Sequence, residues 1–469
     1  MTTATASVMR SPLPPRVPGL PLLGSLLDFR RDRIGMQLRI ARDQGAIARV
    51  RLGLFPLLMV SAPDVAREVL VEKADAFVKS VGLSLFARPV LGNGLVTSEH
   101  GVHKRQRRML APVFAHKRIA AFGDVMADRT ARAALALDDA ALKGETVDLA
   151  EVMMRLTLDI VGKTLFDAEM AGHAAPIGEA ITLAMRQMMR SMVRFVPLPP
   201  VVPTPGNLRV RRAVAGLDRI VYGMIRERRA SAHDPGDMLS MLLATRDADD
   251  GSALSDLEVR DQAMTILLAG HETTAAALAW TFYLLDKHPD VRARVEAELD
   301  AVLGERDATA ADLASLPFTL QALKESMRLY PPVYMLGRKA TRDVEVGGVK
   351  VAQGGTVLVN ISGIHRNPVT FPDPERFDPS RFAPEREKQL PPLAYLPFGA
   401  GPRVCIGNQF ALMEGHLVLA NLARRFRFER TSHEELVGEP LVTLRPRGGV
   451  AVKVVRRASG GQPVASTGA

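Results

Sequence analysis

The only cysteine of the chain, Cys405, lies in the run Phe398-Gly399-Ala400-Gly401-Pro402-Arg403-Val404-Cys405-Ile406-Gly407, directly ahead of an amphipathic stretch from Asn408 to Arg425. This puts a thiol where a loop enters a helix. There the positive helix end and its unpaired N–H groups favour the thiolate, the form that binds a metal or attacks an electrophile. Glycines at 399, 401 and 407 let the backbone approach a flat ligand closely. A single cysteine excludes an internal disulfide and fits a reducing compartment. Such a residue is more often an inert core filler, so its meaning depends on the other motifs.

A second group, Ala269-Gly270-His271-Glu272-Thr273-Thr274, interrupts an otherwise apolar helix with an acid and two hydroxyls. Mid-helix threonines often bond back to their own turn, whereas an acid beside a hydroxyl can also move protons. A zinc-protease reading fails, because H-E-x-x-H needs histidine where Ala275 stands. Glu325 and Arg328, three apart on one helix face, can pair, although most such pairs are solvated and weak. The run His103-Lys104-Arg105-Gln106-Arg107-Arg108 is basic, which alone describes a solvated face as well as an anion site.

Taken together these segments resemble the cytochromes P450. Phe398, Gly401, Arg403, Cys405 and Gly407 match all five letters of the F-x-x-G-x-R-x-C-x-G haem loop; Glu325 and Arg328 match E-x-x-R; Pro374-Glu375-Arg376-Phe377 matches P-E-R-F; and residues 269–274 match A-G-x-[DE]-T-[ST]. The resemblance implies haem b as cofactor, O2 as co-substrate and Cys405 as axial ligand of the iron, whose thiolate donation favours O–O cleavage. It implies that Phe398, Gly399, Gly407 and Ala269 border the haem and that Arg403, His103, Arg107 and Arg338 meet its propionates. Glu325, Arg328 and Arg376 would form a structural network, Thr273 would hydrogen-bond dioxygen, Glu272 would feed protons, and Gly270 would permit local widening of its helix. Position 103 departs from the commoner tryptophan.

By the same resemblance the substrate pocket draws on Leu85, Phe86, Val90 and Leu91, on Met188, Met189 and Met192, on Ala269, and on Val333 and Met335. Methionines suit a pocket that accepts several shapes, so the guest is expected to be a hydrophobic small molecule, hydroxylated or epoxidised with two electrons from a separate protein. No flavin or iron–sulfur segment follows the haem loop. A ferredoxin or flavodoxin with its reductase is the expected donor, drawn to Lys104, Arg105, Arg108 and Arg403. A peroxide-driven oxygenase of the same fold and a haem-thiolate sensor stand as the alternatives, with the acid–threonine pair favouring O2 activation over both.

The elements that must position these groups are legible in outline. Ser255 and Glu258 form a capping box, and the helix they open runs to about Asp286, long enough to cross a whole domain. A second helix covers about Pro317 to Leu329 and stops at Pro331-Pro332. Strands are expected at 47–52, 57–60 and 356–359, with hairpins at Val346-Gly347-Gly348-Val349 and Arg447-Gly448-Gly449-Val450. The whole reads as one mainly α (α+β) domain over 25–457, helix-rich with small sheets and with haem between the long central helix and the Cys-loop helix. A flexible proline-rich lead (1–24) and a disordered tail (458–469) flank it. Composition agrees: 469 residues, 47% hydrophobic and 24% charged, an ordinary globular mixture. The net charge of +10 is spread along the chain without an aromatic–basic stripe, which argues against nucleic acid, and no apolar stretch is long enough for a membrane span. The expectation is a cytoplasmic, bacterial-type monomer.

Overall fold

The computed structural model describes residues 13–169, 174–194, 198–231, 235–246 and 251–457. Residues 1–12, the expected tail 458–469 and Pro197 of a proline-rich connection lie outside them. The central helix, Asp256–Lys287, starts at the capping box: the Ser255 side chain accepts from Glu258 N–H while the Glu258 carboxylate accepts from Ser255 N–H. Residues 259–267 and 274–285 are buried without interruption, so this helix has no solvent face and must run through the middle of the core. It packs most extensively on the helix Leu149–Phe166. Gly270 sits at that crossing, where an added Cβ would come within 3.2 Å of a Val161 methyl. The helix is α-helical throughout. Close packing, not local widening, is what the glycine permits here.

Among the described residues, twelve strands edge this helical body. β1 (Ile47–Leu52), β2 (Phe55–Val60), β3 (Phe77–Lys79), β5 (Leu336–Ala340) and β8 (Thr356–Val359) form one sheet in the order β1-β2-β8-β5-β3, parallel only between β2 and β8. β4 (Thr146–Asp148), β9 (Phe426–Arg430) and β12 (Ala451–Arg456) form a second. β6 (Val344–Val346) and β7 (Val349–Val351) make the hairpin expected from Gly347-Gly348, both at positive φ. The two remaining strands, β10 (Gly438–Pro440) and β11 (Leu444–Pro446), pair with each other. The turn at Arg447–Val450 therefore joins strands of different sheets and is not a hairpin, because β12 finds its partners in β4 and β9. The lead also differs from its expected flexibility: Arg49 N–H donates to Pro15, and Val17 N–H to Arg49, fastening that segment along β1.

The buried Glu325–Arg328 pair ties the helix Pro317–Leu329 to the approach to Cys405. Both side chains are fully enclosed, with Arg328 Nε and Nη2 donating to the carboxylate at 2.7 and 2.8 Å. Arg328 also donates to the carbonyls of His365, Pro374 and Arg376. Arg376 contributes only that carbonyl, since its side chain is exposed. The guanidinium that approaches Glu325 is that of Arg381, at 3.3 Å. His365 carries the link onward: burial and the neighbouring Arg328 push its pKa down to about 3, so its neutral ring accepts from Leu396 N–H at 2.9 Å. Leu396 O in turn receives Gly399 N–H at the start of the Cys loop. Removing one partner of a buried pair leaves the other charge uncompensated, at a cost of about 3–5 kcal/mol. Arg328→Ala is accordingly expected to lower the denaturation midpoint steeply and to yield little holoprotein. An unchanged midpoint would show the pair to be dispensable.

Candidate active site

The loop that carries Cys405 is closed by its own backbone. Cys405 N–H donates to Phe398 O at 2.9 Å and Val404 N–H to Gly401 O at 3.0 Å. Gly399 and Gly401 take φ of 69° and 68°, the left-handed region that only glycine enters freely. Gly401 also touches the segment Glu68–Glu72, where any Cβ would fall 2.0 Å from Leu70 O. Arg107 holds the loop from outside, with Nη1 donating to Val404 O at 2.8 Å. The helix Asn408–Arg425 begins directly after Gly407.

Protein surrounds Cys405 closely enough for burial to push its thiol pKa up, opposed by the Gly407 N–H and by Arg107. Its side chain nevertheless keeps open surface. Both hold only if the sulfur faces an internal space. The central helix has a matching interruption: within its buried length Ala269, Gly270 and Thr273 are half-exposed, as are Phe398 and Gly399 on the loop. A flat macrocycle fits such an opening.

The charges at the margin fit haem as well. The β3–β5 register sets Lys79 opposite Arg338, and both lie close enough to Arg403 to feel its charge. Burial, Arg403 and Arg338 push the Lys79 ammonium down to about 7, against the pull of Glu99; burial and Arg403 push Arg338 down to about 10. His103, enclosed and flanked by Arg403, Lys79 and Arg107, is pushed down to about 3 and is neutral. It can therefore serve as a neutral hydrogen-bond donor. Against these cations stands one carboxylate, Glu99, which pairs with Arg403 and accepts from Lys79 N–H. So many cations around a single acid are costly unless further anions join them, and the propionates of haem would supply those anions. Lys79 and Glu99 carry no sequence motif. A lysine in a strand and an acid before a helix read as surface until the sheet brings them together.

Glu272 is completely buried. It accepts from Thr443 Oγ1 and, at 2.8 Å, from Arg445 Nε, while its Oε2 has no partner. Burial raises its pKa and Arg445 opposes that rise. Arg445 also donates to Thr182 of the helix Ala174–Met192 at 3.0 Å. Thr273 Oγ1 bonds back to Ala269 O at 2.8 Å. Among the described residues no cluster of His, Cys, Asp and Glu could hold a metal ion.

The expected pocket residues fall in several places. Val90 and Leu91 are buried in the main core, with Met188 packed against it; Val333 borders a second cluster and Met335 a third. Phe86 is buried, Leu85 is exposed, and Met192 meets the other pocket helix, its Cε 2.4 Å from where a Cβ on Gly82 would stand. Met189 and Tyr334 come together around Arg33, a residue for which the sequence offers no motif. An open groove of about 1210 Å³, lined in part by Leu183, Ile220 and Met224, includes none of the expected pocket residues. Of the cations expected to attract a redox partner, Arg105 is engaged by Glu258 and Ser252 and Arg403 by Glu99, while Lys104 and Arg108 are exposed.

Comparison with known proteins agrees with this geometry. The family model "Cytochrome P450" matches residues 14–452. The chain is 39% identical to the cyclooctat-9-en-7-ol 5-monooxygenase of Streptomyces melanosporofaciens, with 87% of this chain and 88% of that protein aligned. It is 36% identical to the cyclooctatin synthase of the same organism, over 91% and 92%. Its fold superposes on the retinoic acid-bound cyanobacterial CYP120A1 with a TM-score of 0.83 and 29% identity, covering 95% of this chain and 99% of that one. A cysteine loop facing an internal space, a cation-rich margin suited to propionates and these relationships lead to one conclusion: the chain belongs to the cytochrome P450 family.

Proposed function

We propose that this cytochrome P450 monooxygenase hydroxylates or epoxidises an apolar, terpenoid-like molecule, with Cys405 as the iron ligand. The supporting observation is the exposure of an otherwise enclosed sulfur to an internal space, beside a cation cluster with one acid. One relative's name, cyclooctat-9-en-7-ol 5-monooxygenase, and the retinoic acid bound in CYP120A1 support an apolar, terpenoid-like substrate. Haem b, when bound, supplies the iron at which O2 is activated.

The residues of the chain set the conditions for that chemistry. The N–H of Gly407 stabilises the anionic sulfur, and Arg107 keeps the loop from shifting. Lys79, Arg338, Arg403 and neutral His103 orient the propionates by charge and hydrogen bonding. With its hydroxyl proton given to Ala269 O, Thr273 presents lone pairs, so it can accept a hydrogen bond from a proton donor in the space beside it. Burial favours the protonated form of Glu272 against the pull of Arg445, which positions its carboxylate from the β10–β11 side. Electrons come from a ferredoxin or flavodoxin, for which exposed Lys104 and Arg108 offer complementary charge. Among the described residues no helix is long and apolar enough to cross a membrane, and we place the enzyme in the cytoplasm as a monomer.

The direct test is the spectrum of the reduced, carbon monoxide-treated protein. Wild type is expected to show the thiolate-ligated Soret band and Cys405→Ser to lose it; retention of the band in the variant would refute the ligand assignment. Thr273→Ala is expected to bind haem normally while diverting most of the electrons from product to peroxide; unaltered product per electron would remove Thr273 from proton handling. Lys79 gives a pH signature. Its ammonium is half-deprotonated near pH 7 beside the other cations, and a propionate restores the charge, so haem uptake draws in a proton above that pH. Haem affinity of the apoprotein is thus expected to fall as pH rises through 7, and Lys79→Met to flatten the profile. A profile identical in both proteins would place Lys79 away from the propionates.

A further inference from the structure

Arg33 opens the helix Arg33–Gln44 at its first position, with Asp32 as N-cap. The guanidinium is 5% exposed. Among the described residues no carboxylate lies within ion-pair distance of it. Asp32 is turned to Gly35 N–H and to Arg39, on the solvent side. All three hydrogen bonds of Arg33 leave from Nη1: to Tyr334 Oη at 2.9 Å, to Pro440 O at 2.6 Å and to the Met189 sulfur at 3.0 Å. One terminal nitrogen has two protons for these three acceptors, one of them a weak thioether. Nε is fully buried and has no partner. The ring of Phe29, 4.4 Å from the guanidinium carbon, offers only a cation–π contact. One turn on, Gln37 is also fully buried and its Oε1 has no partner.

Three physical terms disfavour a cation here: burial, the positive end of its own helix and the lack of a counter-charge. Two of the residues around it, Met189 and Tyr334, lie on segments expected to border the substrate space. Met189 comes from the helix Ala174–Met192, Tyr334 from the segment between Val333 and Met335, and Pro440 from the β10–β11 hairpin. We propose that Arg33 receives the anionic end of the substrate, a carboxylate on a long apolar skeleton. This rests on the monooxygenase reading of the site and narrows its substrate class. An alcohol such as the one in the name of one relative would leave the charge unmatched, whereas an acid such as the one bound in CYP120A1 would neutralise it.

The test uses purified holoenzyme and two matched pairs: retinoic acid with retinol, and hexadecanoic acid with hexadecan-1-ol. Each is titrated while the Soret band is followed. Each acid is expected to bind about tenfold or more tightly than its alcohol, since a desolvated charge-assisted pair discriminates by at least that much. Arg33→Met, checked for an unchanged carbon monoxide spectrum, is expected to abolish the preference, and Arg33→Lys to retain part of it. Equal binding of acid and alcohol by the wild type overturns the proposal without recourse to any variant, as does a preference that survives in Arg33→Met; both results leave the apolar-substrate reading intact. If neither skeleton moves the band, that reading falls too, and the Arg33 proposal with it.

Discussion

The structure depends on placing a thiol at the mouth of a helix and keeping it facing an internal space. Everything near Cys405 works against the loop collapsing on itself. Glycines at 399 and 401 adopt the left-handed backbone, the loop carbonyls of Phe398 and Gly401 are occupied by loop N–H groups, and Arg107 holds Val404 from the distant helix His100–Leu110. A loop so constrained holds its sulfur in place before any ligand arrives, the condition for a preorganised site.

That rigidity is supported from a distance. The Glu325–Arg328 pair gains nothing from solvent screening and little from its own Coulomb energy once desolvation is counted. Its worth lies in geometry, since a fully enclosed guanidinium with several carbonyls around it tolerates only one arrangement of residues 365–376. Neutral His365 passes that arrangement to Leu396 and so to the loop. Arg381, not Arg376, is the second cation beside the acid, which a sequence motif built around the exposed neighbour does not reveal.

The opposite face shows a different use of buried charge. Glu272 is held by Arg445 and Thr443, and Arg445 reaches on to Thr182, so the acid of the central helix, the β10–β11 hairpin and the helix over the expected pocket share one set of bonds. Arg33 sits at another junction of the same hairpin and helix, through Pro440 and Met189. Movement of that helix would alter both environments at once.

By itself the sequence determined the cysteine loop ahead of its helix, the long central helix with its capping box, the helix ending at Leu329, most of the strands and the family resemblance. These are legible because local spacing, caps and glycine turns act within a few residues, and because the haem loop is contiguous. Tertiary structure alone decided which charges meet. Lys79, Glu99, Arg338 and Arg403 come from distant parts of the chain and are joined by strand register; Arg445 finds Glu272 across 173 residues. The sheet assignment of the last strands and the packing role of Gly270 were equally hidden. Partner choice in a sheet and the neighbours of a buried charge depend on contacts between segments far apart in the chain, and no local pattern records them.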